Sequence, residues 1–289
     1  MIHLRDPFIV VHNNHYIMYG TTGDYGTPFQ GKNVLAYISD DLINWGTPIV
    51  VFQRPNNFWA DSHFWAPEVY AYHARWYMAI TFTGWKGANS YQDIKRGTQL
   101  LVSESPLGPF MPYHNETITP FDKKCLDGTL YLNSPESAYL IYCEEWQSIR
   151  DGTFVLQKLS SNLKDRIGES TQIFSASDIP WAKPYQNNDY VSDGPYIFET
   201  ETNLFLLISS YTKNQTYAIG FARSITKKIE GPWQLSESPL YELDGGHGMI
   251  FRSLKGNHIL AIHSPNTAKK ERPLFLPIRE KGQTLELIN

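Results

Sequence analysis

Asp6-Pro7-Phe8-Ile9-Val10-Val11-His12-Asn13-Asn14-His15-Tyr16-Ile17-Met18-Tyr19 opens on an acidic residue and enters an apolar run. It turns on two asparagines and returns as an aromatic-rich run. Short apolar runs bounded by turn residues read as strands, and two of them around Asn-Asn read as a hairpin. The same plan recurs along the chain. Further runs are Trp76-Tyr77-Met78-Ala79-Ile80, Tyr139-Leu140-Ile141-Tyr142, Leu204-Phe205-Leu206-Leu207-Ile208 and Ile259-Leu260-Ala261-Ile262. The openings that precede them are Ala66-Pro67-Glu68, Asp127-Gly128-Thr129, Asp193-Gly194-Pro195 and Asp244-Gly245-Gly246. Turns after the first strand fall at Asn13-Asn14, His73-Ala74, Pro135-Glu136, Glu201-Thr202 and Lys255-Gly256.

Five such units, each of about four strands, are the sequence mark of a propeller, in which blades of four-stranded sheet surround an axis. A β-sandwich would not explain an acidic residue opening most units. No linker or low-complexity segment divides residues 1–289, so the expectation is an all-β, five-bladed β-propeller in a single domain. The irregular stretches near 84–96 and 176–192 are expected as loops over one face.

The bulk numbers exclude some functions. A formal net charge of −4 with no Lys/Arg run argues against nucleic acid or an anionic membrane as partner. The two cysteines, Cys125 and Cys143, are too few for a disulfide framework and are read as buried free thiols. No stretch is long and apolar enough for a membrane helix. Asp6 and Pro7 stand where the apolar part of a secretory leader should begin, so a chain starting naturally at Met1 is expected in the cytoplasm; a trimmed one would be secreted. Oligomeric state is not legible.

The first strand of a propeller blade lines the axis, so residues that open these strands converge. Asp6, Glu68, Asp127, Asp193 and Asp244 would then crowd together. Carboxylates brought close raise one another's pKa and need a cation, a shared proton or a chemical use. Asp-Gly and Asp-Pro also serve as ordinary turn pairs, but that reading weakens as the residues recur at equivalent places.

Arg5-Asp6-Pro7, Phe64-Trp65-Ala66-Pro67-Glu68, Leu126-Asp127-Gly128-Thr129-Leu130-Tyr131, Asp193-Gly194-Pro195-Tyr196 and Gly245-Gly246-His247-Gly248-Met249 occur in this order. Together they resemble glycoside hydrolase family 43, over nearly the whole chain. The resemblance implies a five-bladed propeller that hydrolyses glycosidic bonds with inversion, acting on plant cell-wall oligosaccharides. It implies Asp6 as the base, and Asp127 as the residue that orients the acid and tunes its pKa. The family's acid is a Glu in a Glu-Gly-Pro motif, and here that place is taken by the shorter Asp193. Either Asp193 is the acid or another carboxyl takes the role, with Glu145 of Cys143-Glu144-Glu145-Trp146 as the substitute. Family members also use an axial histidine against a central metal ion or water cluster. The resemblance therefore puts His247 there, with a structural calcium near the axis as an option and no cofactor required.

Inversion sets its own conditions. One carboxylic acid protonates the leaving oxygen while a carboxylate activates water on the opposite sugar face, with the two groups about 6.5–9.5 Å apart. The acid needs a raised pKa, which a neighbouring carboxylate supplies; Arg5 or another cation would keep Asp6 ionised. Candidate sugar contacts are Trp65 by stacking, Glu68 through hydroxyls, and His63, His263 and Arg272 on the pocket wall. An exo-acting α-L-arabinofuranosidase is the leading expectation. A β-xylosidase, a galactan-directed exo-enzyme and a sugar-binding propeller without turnover are the alternatives.

Overall fold

The computed structural model describes residues 2–22, 32–134 and 137–288. The Pro135-Glu136 turn lies outside the described residues. Among the described residues, twenty strands form five four-stranded antiparallel sheets, each built from four consecutive strands in sequence order. Blade 1 holds β1 (Arg5–His12), β2 (His15–Thr21), β3 (Asn33–Ser39) and β4 (Ile49–Gln53). Blade 2 holds β5 (Ser62–Tyr72), β6 (Arg75–Gly84), β7 (Lys95–Ser103) and β8 (Met111–Pro112). Blade 3 holds β9 (Cys125–Ser134), β10 (Ser137–Glu144), β11 (Thr153–Leu159) and β12 (Arg166–Ser175). Blade 4 holds β13 (Asp193–Glu199), β14 (Leu204–Tyr211), β15 (Tyr217–Ser224) and β16 (Trp233–Leu235). Blade 5 holds β17 (Gly246–Arg252), β18 (His258–Ser264), β19 (Arg272–Lys281) and β20 (Thr284–Leu287).

The first strands touch one another in a closed ring, β1 to β5, β5 to β9, β9 to β13, β13 to β17 and β17 back to β1. The expected five-bladed propeller is therefore the fold. Each sheet is covered on both faces by its neighbours, which is why strands such as Leu204-Phe205-Leu206-Leu207-Ile208 read as continuous apolar runs rather than alternating ones. Aromatic rings fill the wedge between blades 1 and 2: Phe82 meets Phe64 with centroids 4.6 Å apart and Phe52 at 5.7 Å. Cutting a ring such as Phe82 back to Ala would cost about 3–5 kcal/mol. Asn13-Asn14 and His73-Ala74 both take left-handed backbone conformations, as tight hairpin turns between twisted strands require. Cys125 and Cys143 are buried free thiols. Among the described residues no helix is long and apolar enough to cross a membrane.

One local device repeats in all five blades. In each first strand the register slips by one residue near its start: three steps on the first strand match two on the second. The pairs on either side are Arg5–Thr21 and Phe8–Tyr19, Trp65–Thr81 and Glu68–Ala79, Leu126–Cys143 and Thr129–Ile141, Asp193–Ser209 and Tyr196–Leu207, and Gly246–His263 and Met249–Ala261. The residue after the first pair has a positive φ every time: Asp6 at 52°, Ala66 at 46°, Asp127 at 55°, Gly194 at 55° and His247 at 47°. This is a β-bulge, which re-aims side chains at the hub.

The bulge corrects the alignment of the openings. Asp6, Ala66 and Asp127 are equivalent, but the fourth-blade equivalent is Gly194 and the fifth is His247. Asp193 precedes that station by one residue and shares the place of Arg5, Trp65 and Leu126. Asp244 precedes it by three, and instead receives the backbone N–H of Asn266 at 3.0 Å. Glu68 follows it by two, level with Phe8 and Tyr196.

Candidate active site

A cavity of about 400 Å³ opens at the hub. Its floor carries Asp6, Asp127, Asp193 and His247, drawn from four blades. Trp65 and Glu145 line it on one side, and Trp146, Tyr185 and Tyr211 line it elsewhere. Both long loops contribute. Tyr91 of the first donates to Glu145, and Tyr185 and Val191 of the second border the cavity.

Asp6 is fixed on all sides. Thr21 Oγ1, which itself accepts the N–H of Ala66 at 2.7 Å, donates to Asp6 Oδ2 at 2.7 Å. Asp6 Oδ1 faces His247 Nδ1 at 3.4 Å and His263 Nδ1 at 3.3 Å. Burial alone would raise its pKa, but the neighbouring His247 and Arg5 outweigh burial and hold it well below the usual carboxylate range. His263 is itself pushed toward its neutral form by burial.

Asp127 and Asp193 behave oppositely. Burial, and for Asp127 the charge of Asp6, push Asp127 up, although Oδ2 accepts the N–H of Gly194 at 3.2 Å. Burial and the charge of Asp127 push Asp193 up, although Tyr217 donates its hydroxyl to Oδ2 at 3.1 Å. With both pushed up, Asp193 in part by the charge of Asp127, the two buried carboxyls hold at least one proton between them near neutrality. His247 Nδ1 lies 3.6 Å from Asp127 Oδ2 and so bridges toward both Asp6 and Asp127. Only a glycine fits at 194, because a Cβ there would come within 2.8 Å of the His247 ring.

Several expected wall residues lie elsewhere. Glu68 points into the hub behind the floor, where it bonds Tyr70, whose hydroxyl also lies 2.8 Å from Thr129 Oγ1. Burial raises Glu68 to about 8. His263 is fully buried behind Asp6 and does not line the cavity. Arg272 faces away: strands alternate faces, and the preceding Glu271 takes the inward direction and pairs with Arg5 at 3.3 Å. Arg272 bonds His3 Nδ1 at 2.7 Å and borders a separate recess with Trp45 and Phe275. His63 stands behind Trp65, its ring stacked on the indole with centroids 4.4 Å apart. Burial and the adjacent Arg96 lower it to about 4.

Glu145 follows β10, the second strand of its blade, and precedes the short helix α1 (Trp146–Ile149). Both of its oxygens are engaged: one by the buried guanidinium of Arg96, the other by the Tyr91 hydroxyl. Arg96 also donates to Thr83 Oγ1 at 2.9 Å, lies 3.1 Å from His63 Nδ1 and covers the Trp65 ring at 4.7 Å. Arg96, Tyr217, Tyr185 and Asn266 were not evident from the repeat. The signal available for them is their place at the cavity end of a second or third strand or in a hub loop.

Among the described residues no three His, Cys, Asp or Glu side chains group as metal ligands.

A propeller whose hub gathers one carboxyl held ionised and two held toward protonation, beside an indole platform, is built as a glycosidase. The sequence profile of glycosyl hydrolases family 43 matches residues 2–280, and the chain belongs to that family of inverting glycoside hydrolases. It is similar to the endo-arabinase of Bacteroides thetaiotaomicron VPI-5482, with 36% identity, 98% of this chain and 96% of that one covered, and a TM-score of 0.87. It shares the fold of an α-L-arabinofuranosidase from Lactobacillus brevis, at 15% identity, coverage of 98% and 93%, and TM-score 0.78. The same holds for an exo-1,5-α-L-arabinanase from a bovine ruminal metagenomic library, at 17% identity, coverage of 99% and 97%, and TM-score 0.71. None of the curated protein sequences matches the chain.

Proposed function

We propose that the protein hydrolyses α-L-arabinofuranosyl linkages from chain ends of plant cell-wall oligosaccharides, with Asp6 as base, Asp193 as acid and Asp127 as the tuner of that acid. The observation that carries the assignment is the opposite displacement of two carboxyls in one cavity. Asp6 stays ionised and can take a proton from water; Asp193 keeps a proton that it can give to the leaving oxygen. Glu145 is the weaker acid candidate, because an acid must present a free O–H and both Glu145 oxygens already have partners.

Trp65, backed by His63 and Arg96, offers a flat face to the sugar. Attack of water opposite the leaving group gives the inverted product. The arabinose assignment rests on the 36% identity to a protein described as an endo-arabinase. The same likeness favours a second reading, cleavage within the arabinan chain. Release from chain ends is supported by the limited size of the hub cavity, about 400 Å³, which suits a few sugar rings.

Two measurements decide. A panel of nitrophenyl glycosides should show hydrolysis of the α-L-arabinofuranoside; activity on the β-xyloside or β-galactoside alone would overturn the sugar assignment. On linear arabinan, monomer should accumulate from the first minutes with viscosity nearly unchanged. A rapid fall in viscosity with mixed oligomers would establish the internal cut.

A further inference from the structure

The N–H of the left-handed residue in each bulge needs an acceptor, and three blades supply it in the same way. A hydroxyl toward the end of the preceding blade's second strand accepts: Thr21 from Ala66 at 2.7 Å, Thr81 from Asp127 at 2.8 Å and Ser209 from His247 at 2.8 Å. In the first blade that station is held by His263, whose Nδ1 accepts the N–H of Asp6 at 3.2 Å. A hydroxyl rotates to serve either role. An imidazole accepts at Nδ1 only when that nitrogen bears a lone pair, so the tautomer matters.

Asn266 decides the tautomer. Arg5, which can only donate, gives Nη2–H to Asn266 Oδ1 at 2.8 Å. Asn266 Nδ2 donates to the Tyr211 hydroxyl at 2.9 Å, and its backbone N–H donates to Asp244 Oδ2. These partners leave the amide one orientation. Its Oδ1 therefore faces His263 Nε2 at 3.1 Å as an acceptor, and Nε2 must carry the hydrogen. We infer that Asn266, oriented by Arg5, is a positioning residue that holds His263 in the Nε2–H tautomer and through it fixes the backbone and carboxylate of Asp6.

The alternative tautomer would do two kinds of damage. Nδ1–H would confront the Asp6 N–H, leaving a buried donor without a partner. It would also offer its proton to Asp6 Oδ1, 3.3 Å away, and occupy the oxygen that faces His247. The consequence for turnover rests on the reading of Asp6 as base; the tautomer does not.

The test therefore has two arms. Histidine ring nitrogens are observed by long-range ¹⁵N–¹H spectra of the whole protein labelled with ¹⁵N-histidine, with His263 assigned by the signals lost in His263→Asn. At neutral pH the wild-type ring should be protonated at Nε2, and Asn266→Leu should shift it toward the Nδ1–H form. A wild-type ring protonated at Nδ1, or one unmoved by Asn266→Leu, overturns the inference whatever the enzyme's activity. In kinetics, His263→Asn, whose Oδ1 falls near the place of Nδ1, should keep kcat within about fivefold, whereas His263→Leu should lower it about a hundredfold with KM little changed. Equal losses in the two variants would reject the acceptor role. Should Asp6→Asn prove fully active, the kinetic arm falls with the proposed function while the spectra still decide the tautomer.

Discussion

Asp127 Oδ2 accepts the backbone N–H of Gly194 at 3.2 Å, and the same carboxylate raises the pKa of Asp193, the residue before that glycine. One peptide unit thus ties the tuning carboxyl to the strand that carries the proposed acid. The pair holds a proton above the pH at which an isolated aspartic acid loses it.

Activity should accordingly fall on the alkaline side as that proton leaves. Asp127→Asn removes the charge that helps hold it on Asp193, so the alkaline limb of the kcat profile should move to lower pH. A pH–rate profile of the variant that superimposes on the wild type would reject the coupling.

Asp6→Asn keeps the shape and the Thr21 hydrogen bond but removes the base. Turnover should fall by about 10²–10⁴-fold, the usual value of a positioned base. Melting should remain a single cooperative transition, which separates loss of the base from loss of the fold. Retained hydrolysis would exclude Asp6 as base.

Asp193→Ala and Glu145→Ala separate the two acid candidates. A missing acid slows substrates with poor leaving groups most, so Asp193→Ala should lose oligosaccharide cleavage while retaining much of its action on a dinitrophenyl glycoside. Equal losses on both substrates would remove Asp193 from the role.

Glu68 gives a stability test independent of turnover. Burial raises it from 4.5 to about 8, so the folded protein binds a proton there that the unfolded chain has released. Where the folded state binds more protons, stability falls as pH rises, here between about 4.5 and 8. Glu68→Gln carries no such proton, so its melting temperature should gain on the wild type across that interval and run parallel outside it. A constant difference from pH 5 to pH 8 would show that Glu68 is already ionised.

Arg96 and Glu145 are both nearly inaccessible. Arg96→Met strands the carboxylate and should cost about 3–5 kcal/mol, whereas Arg96→Met with Glu145→Leu should recover most of that. Urea unfolding of the two variants measures it; equal losses would mean that the pair contributes only shape.

The sequence showed the propeller because its units repeat a strand–turn–strand pattern that survives without coordinates. Asp6 and Asp127 were legible for the same reason: each opens its unit at the left-handed station of the bulge. Asp193 was found one residue out of step, since a bulge is a register change that composition does not mark. His263 and Arg272 were both read as wall residues. Their directions depend on which strand face meets the hub, and that is set by packing between blades distant in sequence. Arg96 reaches Glu145 49 residues away, Tyr217 reaches Asp193 24 residues away, and Asn266 is oriented by Arg5 261 residues away, contacts that no local pattern reports.

The first and last blades share no strand, yet Asp6 takes its acceptor from a histidine 257 residues later and Arg5 its counterion from a glutamate 266 residues later. The clasp of the ring and the seat of the proposed base are one set of atoms. A chain arrested before its final blade could stack four sheets and still own every floor carboxylate, but it would lack the lock that aims Asp6. The proposed base is thereby aimed only in the closed ring.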